Sequence, residues 1–489
     1  LVDSGKTEIT LADLKKEKEK FFSGAGLFEL AGVKVTETGV ADDGTITYDK
    51  AQSGAGIAGI YDKATVTGVS GSVANSHDWG AAQLASGTTS LELASGAAVT
   101  LNGVNGNLVT QADGKTAAGV TLASGSTLSV QSNGGTLDAI TTGTANEGKV
   151  LVGADLVVNK DIGASGSSVA ELSVQKAGNT QVQNVYANVL NVDGKLEVAK
   201  NVALSGASTV NGFLSAQDIT SSTGTLDVQG QVDAKSISVS GDVTIGGSVV
   251  ADTLKLTSAA KVQVGDADSS GLLDLGSLDL KSGSLLIDPS FKLDASVVAI
   301  KDTTQTTSGA DFVSLNGDIG VGMNSVLGIG LDAASAKDLV TRLGYLQNGK
   351  LQKNGVGAVL VVDNTLSIAS GDKVIIDPTK DHAGLNNAIS GASGDTLTLA
   401  NGAGLVITDN MTTQSAAGTP VISFVNSGSG SFTAASGSVI AFDKALTAAD
   451  NVQLTNANTV TTSGATISAA NGLLVGTSDN KGNITFALD

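Results

Sequence analysis

Short apolar–polar–apolar runs, broken every few residues by small residues, fill most of this chain. The pattern is sharpest in an eleven-residue phrase, apolar-x-apolar-Ala-(Ser/Asn)-Gly-x-x-apolar-x-apolar. It occurs at Leu91–Leu101, Val120–Val130, Leu366–Ile376, Leu397–Ile407 and Phe432–Phe442. Period-2 alternation on both sides of a small-residue break predicts two short strands around a tight corner. The glycine at the sixth position supplies the positive φ that such a corner needs. A shorter form, apolar-x-apolar followed closely by Gly, recurs at Leu190–Gly194, Leu226–Gly230, Ile237–Gly241 and Leu278–Gly283. Some breaks, Asn102-Gly103 and Asp193-Gly194, are of the kind hairpins favour. The more frequent Ser-Gly and Ala-Ser-Gly breaks suit a chain turning by a third of a circle. One strand–corner–strand unit repeated along a long chain therefore predicts stacked parallel coils, with the phrase as their recurrent corner.

Read in order, the chain falls into four stretches. Residues 1–60 carry the one strong helix signal near the start. Thr10-Leu11-Ala12-Asp13 has the form of a capping box with Asp in the Glu/Gln place, and the helix runs through Lys15–Lys20 to Phe21-Phe22. Its charge run reads as a solvated helix face, and the whole stretch reads as a cap for the first coil, since open coil ends expose unpaired backbone. Residues 61–325 read as solenoid. Residues 326–350 read as a helical insert, opened by Asp332 or Ser335, with its stripe through Ala336, Leu339, Val340, Leu343 and Leu346 and its end at Asn348-Gly349. Residues 351–489 return to solenoid, with a weaker helical stretch at His382–Ile389 and a last strand at Ile484–Asp489. The fold class expected is all-β: a right-handed parallel β-helix with an N-terminal helix-containing cap and a short helical insert. Roughly 20–25 residues per coil at a rise of about 4.8 Å would make a rod of about 80–100 Å.

Composition narrows the function classes. Against 63 Gly stand 3 Pro and 3% aromatic residues, so the core must be built from small aliphatic side chains. The 47 Asp+Glu against 28 Lys+Arg give a net charge of -19, and Arg342 is the only arginine. That balance argues against a nucleic-acid partner and against an anionic membrane surface, since both need basic contacts. No apolar run approaches the length of a membrane span. Cysteine is absent, which fits export through a narrow pore, and the start at Leu1 without Met reads as a processed or trimmed fragment.

Candidate chemistry is sparse. Of two histidines, His77 lies in Ser76-His77-Asp78-Trp79 and His382 follows Asp381, but no Gly-x-Ser-x-Gly elbow accompanies either. Paired carboxylates at 41–42 and 266/268 could serve a glycosidase, yet no aromatic or basic enrichment surrounds them. The chain therefore reads as a non-enzyme. The best metal-like stretch is Asp266, Asp268, Ser270 and Asp274, which follows a calcium loop in outline, with Ser277 where the bidentate Glu should be. Calcium is the one cofactor this leaves room for; the plain reading is an acidic turn between coils. Thr-x-Thr ladders do not recur at a fixed coil position, so an ice-binding face has little support.

The tandem Leu-x-Leu-Ala-Ser-Gly and Leu-x-Val-x-Gly phrases, the missing cysteine, the single Trp79 and the acidic Gly/Ser/Thr/Asn/Asp-rich composition resemble the passenger regions of bacterial type V secreted proteins, the autotransporters of the adhesin and self-associating kind. The resemblance covers roughly residues 61–489. It implies a right-handed parallel β-helix, export to the extracellular space or the outer cell surface, and adhesion to host or bacterial surface molecules, protein or glycan. It also implies self-association into a homopolymer, without membrane insertion of this fragment. The family's membrane barrel is missing and the helices near 332–347 are unusual for it, which leaves a self-assembling filament or surface-layer subunit as one alternative and an extracellular glycan-active enzyme on the same scaffold as another.

Overall fold

The computed structural model describes residues 65–102, 106–131, 135–287, 294–301, 311–363, 365–368, 370–408 and 430–443, with short strand segments outside these ranges. Of the expected N-terminal helix at 10–22, Thr10 belongs to strand Ile9–Thr10 and the rest lies outside the described residues, as do the carboxylates at 41–42. The chain is all-β, with a large parallel sheet of many strands, an arrangement that fits a β-solenoid. It divides into two compact units, Leu1–Gly206 with Asn211–Gln217, and Ala207–Val210 with Asp218–Asp489. Among the described residues no helix is long and apolar enough to cross a membrane, which says nothing about spans made of strands.

In the first unit, from Ser90 to Leu204, strand follows strand around the coil and pairs in parallel with its counterpart one coil on; the short strands before residue 54 pair antiparallel among themselves. Leu91 lies on Val120, Val120 on Ile140, Ile140 on Ile162, Ile162 on Val185 and Val185 on Val202. Every member of this column is fully buried. A second column runs Val99, Leu128, Val150, Leu172, Leu190. Each such side chain contributes about 1.5–3 kcal/mol by leaving water, and the columns explain why Val, Leu and Ile suffice with few aromatics. Coil length departs in both directions from the roughly 20–25 residues expected: Leu172 pairs with Leu190, 18 positions on, whereas Leu91 pairs with Val120, 29 positions on.

The phrase behaves as a corner in all five copies. Gly96, Gly125, Gly371, Gly402 and Gly437 have φ between 69 and 87°. Copies one and two stack directly, as do copies four and five (Leu397 on Phe432, Leu405 on Ile440). The third copy is displaced: its second strand, Lys373–Ile376, lies under the first strand of the fourth, Thr396–Leu399. The phrase thus serves more than one corner of the coil. The glycines of the short form work differently. A Cβ on Gly194 would come 2.2 Å from the Gly178 carbonyl oxygen, and one on Gly212 would come 1.9 Å from that of Gly194. Coil-on-coil approach excludes a side chain there, and Asp193-Gly194 leads into a parallel strand, Lys195–Val198, and not into a hairpin.

Among the described residues of the second unit, two α-helices interrupt the winding. Strand Ser325–Ile329 is followed by α1 (Ala333–Arg342), then by strand Ala358–Val362, which pairs in parallel with Ser325–Ile329 itself. Strand Lys373–Ile376, α2 (His382–Gly391) and strand Thr396–Leu399 repeat the scheme. Both are β-α-β crossovers, the connection that adjacent parallel strands require when the chain does not go round the coil. The helices cover strands that are apolar on both faces. Leu385 and Ile389 of α2 pack on Leu286 and Ile375; Ala336, Leu339 and Val340 of α1 pack with Val297, Val326, Val359 and Val361. Each also seats on a glycine: a Cβ on Gly320 would meet Ile389 at 2.9 Å, and one on Gly328 would meet Ala336 at 3.0 Å.

The insert differs from expectation at its end. Asp332 caps α1 as anticipated, its Oδ1 accepting from the Ser335 N–H at 2.8 Å. The helix stops at Arg342, however, with Gly344 at φ 77°. Asn348 (φ 52°) and Gly349 (φ 76°) instead form the two-residue turn of an antiparallel hairpin, Leu346–Gln347 with Lys350–Leu351. Two successive positive φ values make the primed turn that matches strand twist, and Leu346 is buried from this hairpin.

Candidate functional site

Five strands of the second unit run Ser296–Ile300, Ser325–Ile329, Ala358–Val362, Ala403–Ile407 and Val439–Phe442 in parallel register. The residues just after the last three are Asp363, Thr408 and Asp443, and backbone bonding continues through them: Asp363 N–H to Ile329 O at 2.9 Å, Asp443 N–H to Ile407 O at 2.9 Å. They line a groove of about 560 Å³ beside α1, with Leu331 and Leu339 as its apolar part and Asp338 and Arg342 on the helix side.

Its electrostatics are dominated by internal pairing. Arg342 donates from Nη1 and Nη2 to the two oxygens of Asp443 at 2.8 and 3.0 Å, and the Asp443 side chain is only 8% exposed. A planar fork on a carboxylate is the strongest form of this pair, and it fastens the end of α1 to a strand 101 positions away. The Thr408 hydroxyl donates to Asp363. Neither histidine nor an aromatic ring lines the groove. A glycosidase needs one carboxyl free to give a proton and one free to act on water or sugar, whereas Asp443 is held by Arg342 and Asp363 accepts from Thr408. The third carboxylate of the lining, Asp338, is exposed, with Oδ2 3.9 Å from Arg342 Nε.

Of the residues singled out for calcium, Asp266 and Asp274 have partners within the fold. Asp266 Oδ1 accepts from the N–H groups of Asp268 and Ser269 at 2.8 and 2.7 Å, closing its own turn. Burial pushes this carboxyl up, but bonds from Ser269 and Asp268 outweigh it and hold it below the usual range. Asp268 is exposed and Ser270 half-buried. Asp274 stands in strand Leu272–Asp279 beside the start of α1, where the Ala333 N–H bonds it; burial, reinforced by Asp332, raises its proton affinity. Asp266, Asp268 and Asp274 do not converge, and among the described residues no group of three His, Cys, Asp or Glu side chains is placed to hold a metal ion. Asp274 thus acts as a second partner for the helix N-terminus.

The histidines lie apart from the groove's lining. His77 Nε2 is 2.8 Å from the Ala74 carbonyl oxygen and its ring lies 5.0 Å from that of Trp79, itself buried. His382 opens α2, with Nε2 3.2 Å from Lys261 Nζ; burial first, then Lys261, lowers its proton affinity. The groove residues escaped sequence reading, although a signal existed: each apolar run, Ala358–Val362, Ala403–Ile407 and Val439–Phe442, is followed at once by Asp or Thr.

The outward flank of the first unit is the other candidate surface. Polar side chains there bond from coil to coil. Ser90 and Thr121 hydroxyls lie 2.5 Å apart, and Thr121 and Thr141 lie 3.1 Å apart. Asn184 donates to Asp161 at 2.8 Å, Asn191 to Glu171 at 3.2 Å and Asn211 to Asp193 at 2.7 Å. Lys160 pairs with Asp138 at 2.7 Å and Lys149 with Glu171 at 2.9 Å. Comparison with protein-family models, curated proteins and solved structures finds no match.

Proposed function

We propose that this chain is a bacterial cell-surface or secreted β-solenoid, wound right-handed and capped by residues 1–60, that acts as an adhesin or structural fibre without a catalytic centre. The observation that carries this reading is the outward flank of the first unit, where polar groups stand in register on successive coils. Such a flank offers a partner many weak polar contacts on successive coils, and weak contacts sum through avidity. The net charge of -19 and the absence of cysteine fit an exported, soluble surface chain. The resemblance to autotransporter passengers supports the same location, outside the cell or on its outer surface, and protein or glycan surface molecules as partners.

The test is binding by the purified chain to arrays of cell-surface glycans and proteins, together with a hydrolysis screen on polysaccharides. Retention that rises steeply when the chain is displayed multivalently, with no release of reducing sugar, is the expected result. Release of sugar in proportion to protein, abolished by Asp363→Asn, would replace the adhesin with a glycan-active enzyme. Electron microscopy of the same sample separates isolated particles from ordered polymers, and polymers would favour the filament or surface-layer subunit.

A further inference from the structure

Three aspartates occupy neighbouring positions at one corner of the second unit. Asp318 opens strand Asp318–Val321, Asp372 directly precedes strand Lys373–Ile376, and Asp395 directly precedes strand Thr396–Leu399. These strands pair side by side in parallel, Ile319 on Val374 and Lys373 on Thr396. The Thr396 N–H donates to the Asp372 carbonyl oxygen at 3.0 Å, so Asp372 and Asp395 sit on adjacent rungs.

Two of the three carboxylates are provided for. Asp318 Oδ1 accepts from the Lys373 N–H at 3.1 Å, and its Oδ2 is 3.7 Å from Lys373 Nζ. Asp395, 3% exposed, accepts from the Gly371 N–H. Asp372 differs. Its Oδ2 exposes less than 1 Å² and has no hydrogen-bond partner, while the Gly317 N–H meets the carboxyl on its other side. A buried carboxylate oxygen without a donor is costly, and two like charges beside it add to the cost. A proton on that oxygen cancels its charge beside Asp318 and Asp395 and turns it from an acceptor into a donor.

We propose that this corner is a proton-operated clasp: one proton taken up from solvent by Asp372 Oδ2 joins adjacent rungs through an O–H···O bond to a neighbouring carboxylate, and its release loosens them. Burial first, then Asp318 and Asp395, push the Asp372 carboxyl up to about 6, against which the Gly317 N–H and Lys373 act. Because the folded value lies above the ordinary one, the clasp is fully closed below about 4 and its contribution is lost as pH rises through about 6. Folding thus tightens proton binding at this carboxyl roughly a hundredfold. Charged and titratable groups on the elements packed around it are Asp318, Asp395 and Lys373, Lys261 on strand Lys261–Val264, and Lys380, Asp381 and His382 at the start of α2. His382 works in the opposite sense, since its lowered proton affinity makes acid unfavourable there.

The test compares the full chain with Asp372→Asn across pH 4.5 to 8, reading hydrogen exchange in peptides covering 365–408. Asparagine keeps the shape and a donor without the charge. Protection of wild-type peptides should fall between pH 5 and 7, whereas the variant should hold its protection to neutral pH; subtracting the two cancels His382. Carbon NMR of the Asp372 carboxyl in the wild-type chain gives a second reading that needs no variant: a titration midpoint near 6, lowered in Asp318→Asn, is expected. A midpoint near 4, or parallel exchange profiles for the two chains, would overturn the clasp. Neither result depends on whether the chain is an adhesin.

Discussion

The coils of residues 119–204 and those of residues 296–442 obey one stacking rule but solve the outer face differently. In the first stretch the strand pattern alternates, and outward positions such as Thr121, Thr141, Glu171 and Asn191 are polar and share bonds between coils. In the second, strands Ser296–Ile300, Ser325–Ile329 and Ala358–Val362 are buried at every position. A parallel strand buried on both faces needs something packed on each. The chain supplies it by leaving the winding path after a strand, laying a helix over the sheet and returning to the same stack one rung on. Helices within a solenoid are therefore a consequence of apolar outward residues; they are not an appended domain.

The contrast breaks most visibly on charge insertion. Val361→Asp places a carboxylate between the sheet and α1 and should cost at least about 4 kcal/mol, the cost of burying an unpaired charge in a packed interface. Ser129→Asp, outward in the first unit, should stay within about 0.5 kcal/mol. The units can be read separately. Trp79, the single tryptophan, is buried in the first unit and reports on it by fluorescence, while exchange in peptides covering 325–362 reports on the second. Equal losses at the two positions would mean that α1 does not shield the outer face.

Removing packing without charge comes next. Leu385→Ala withdraws the main contact of α2 with Leu286 and Ile375 and should cost about 3 kcal/mol, seen as faster exchange in α2 before the strands beneath it respond. Arg342→Met keeps the length of the side chain but leaves Asp443, 8% exposed, without its fork. The expected loss is about 2–3 kcal/mol, and it should be largely recovered in the double variant Arg342→Met/Asp443→Leu. A double variant no better than the single one would show that the pair itself, and not the stranded charge, holds α1 down.

Much of this was legible in the residues. Alternation separated inward from outward positions in 65–287, whereas Ala358–Val362 and Ala403–Ile407, read as ordinary solenoid strands, are apolar runs buried at every position. The cap of α1 at Asp332 follows from local chemistry, and α2 from its apolar spacing. What could not be read depends on which rungs meet. Arg342 reaches Asp443 only because the intervening coils bring residues 101 positions apart to one edge, and coil lengths vary too much for that sum to be done from spacing. The same holds for Asp274, whose place in an acidic series suggested a cation, although strand geometry turns it to the start of α1. Asn348-Gly349 misled for a local reason: the dipeptide ends helices and also makes primed turns, and only Gly344 ahead of it decides between the two.

The two kinds of corner glycine give the finest test. Gly194 is confined by its neighbours, since a Cβ would lie 2.2 Å from the Gly178 carbonyl oxygen and 2.3 Å from that of Gln175. Gly96 is open, with nothing within 4 Å, but holds φ at 75°. Gly194→Ala must push two rungs apart and should cost about 2–3 kcal/mol, lost cooperatively from neighbouring coils as Trp79 fluorescence and exchange at 175–198 change together. Gly96→Ala meets no atom and should cost about 1 kcal/mol through the left-handed backbone alone, and Gly96→Asn should recover part of it, because Asn tolerates that conformation. Asparagine at 194 should recover nothing, as it carries the same Cβ into the same carbonyl. If Asn rescued both positions or neither, the short and long corner phrases would share one cause, and the division between turning by conformation and turning by contact would fall.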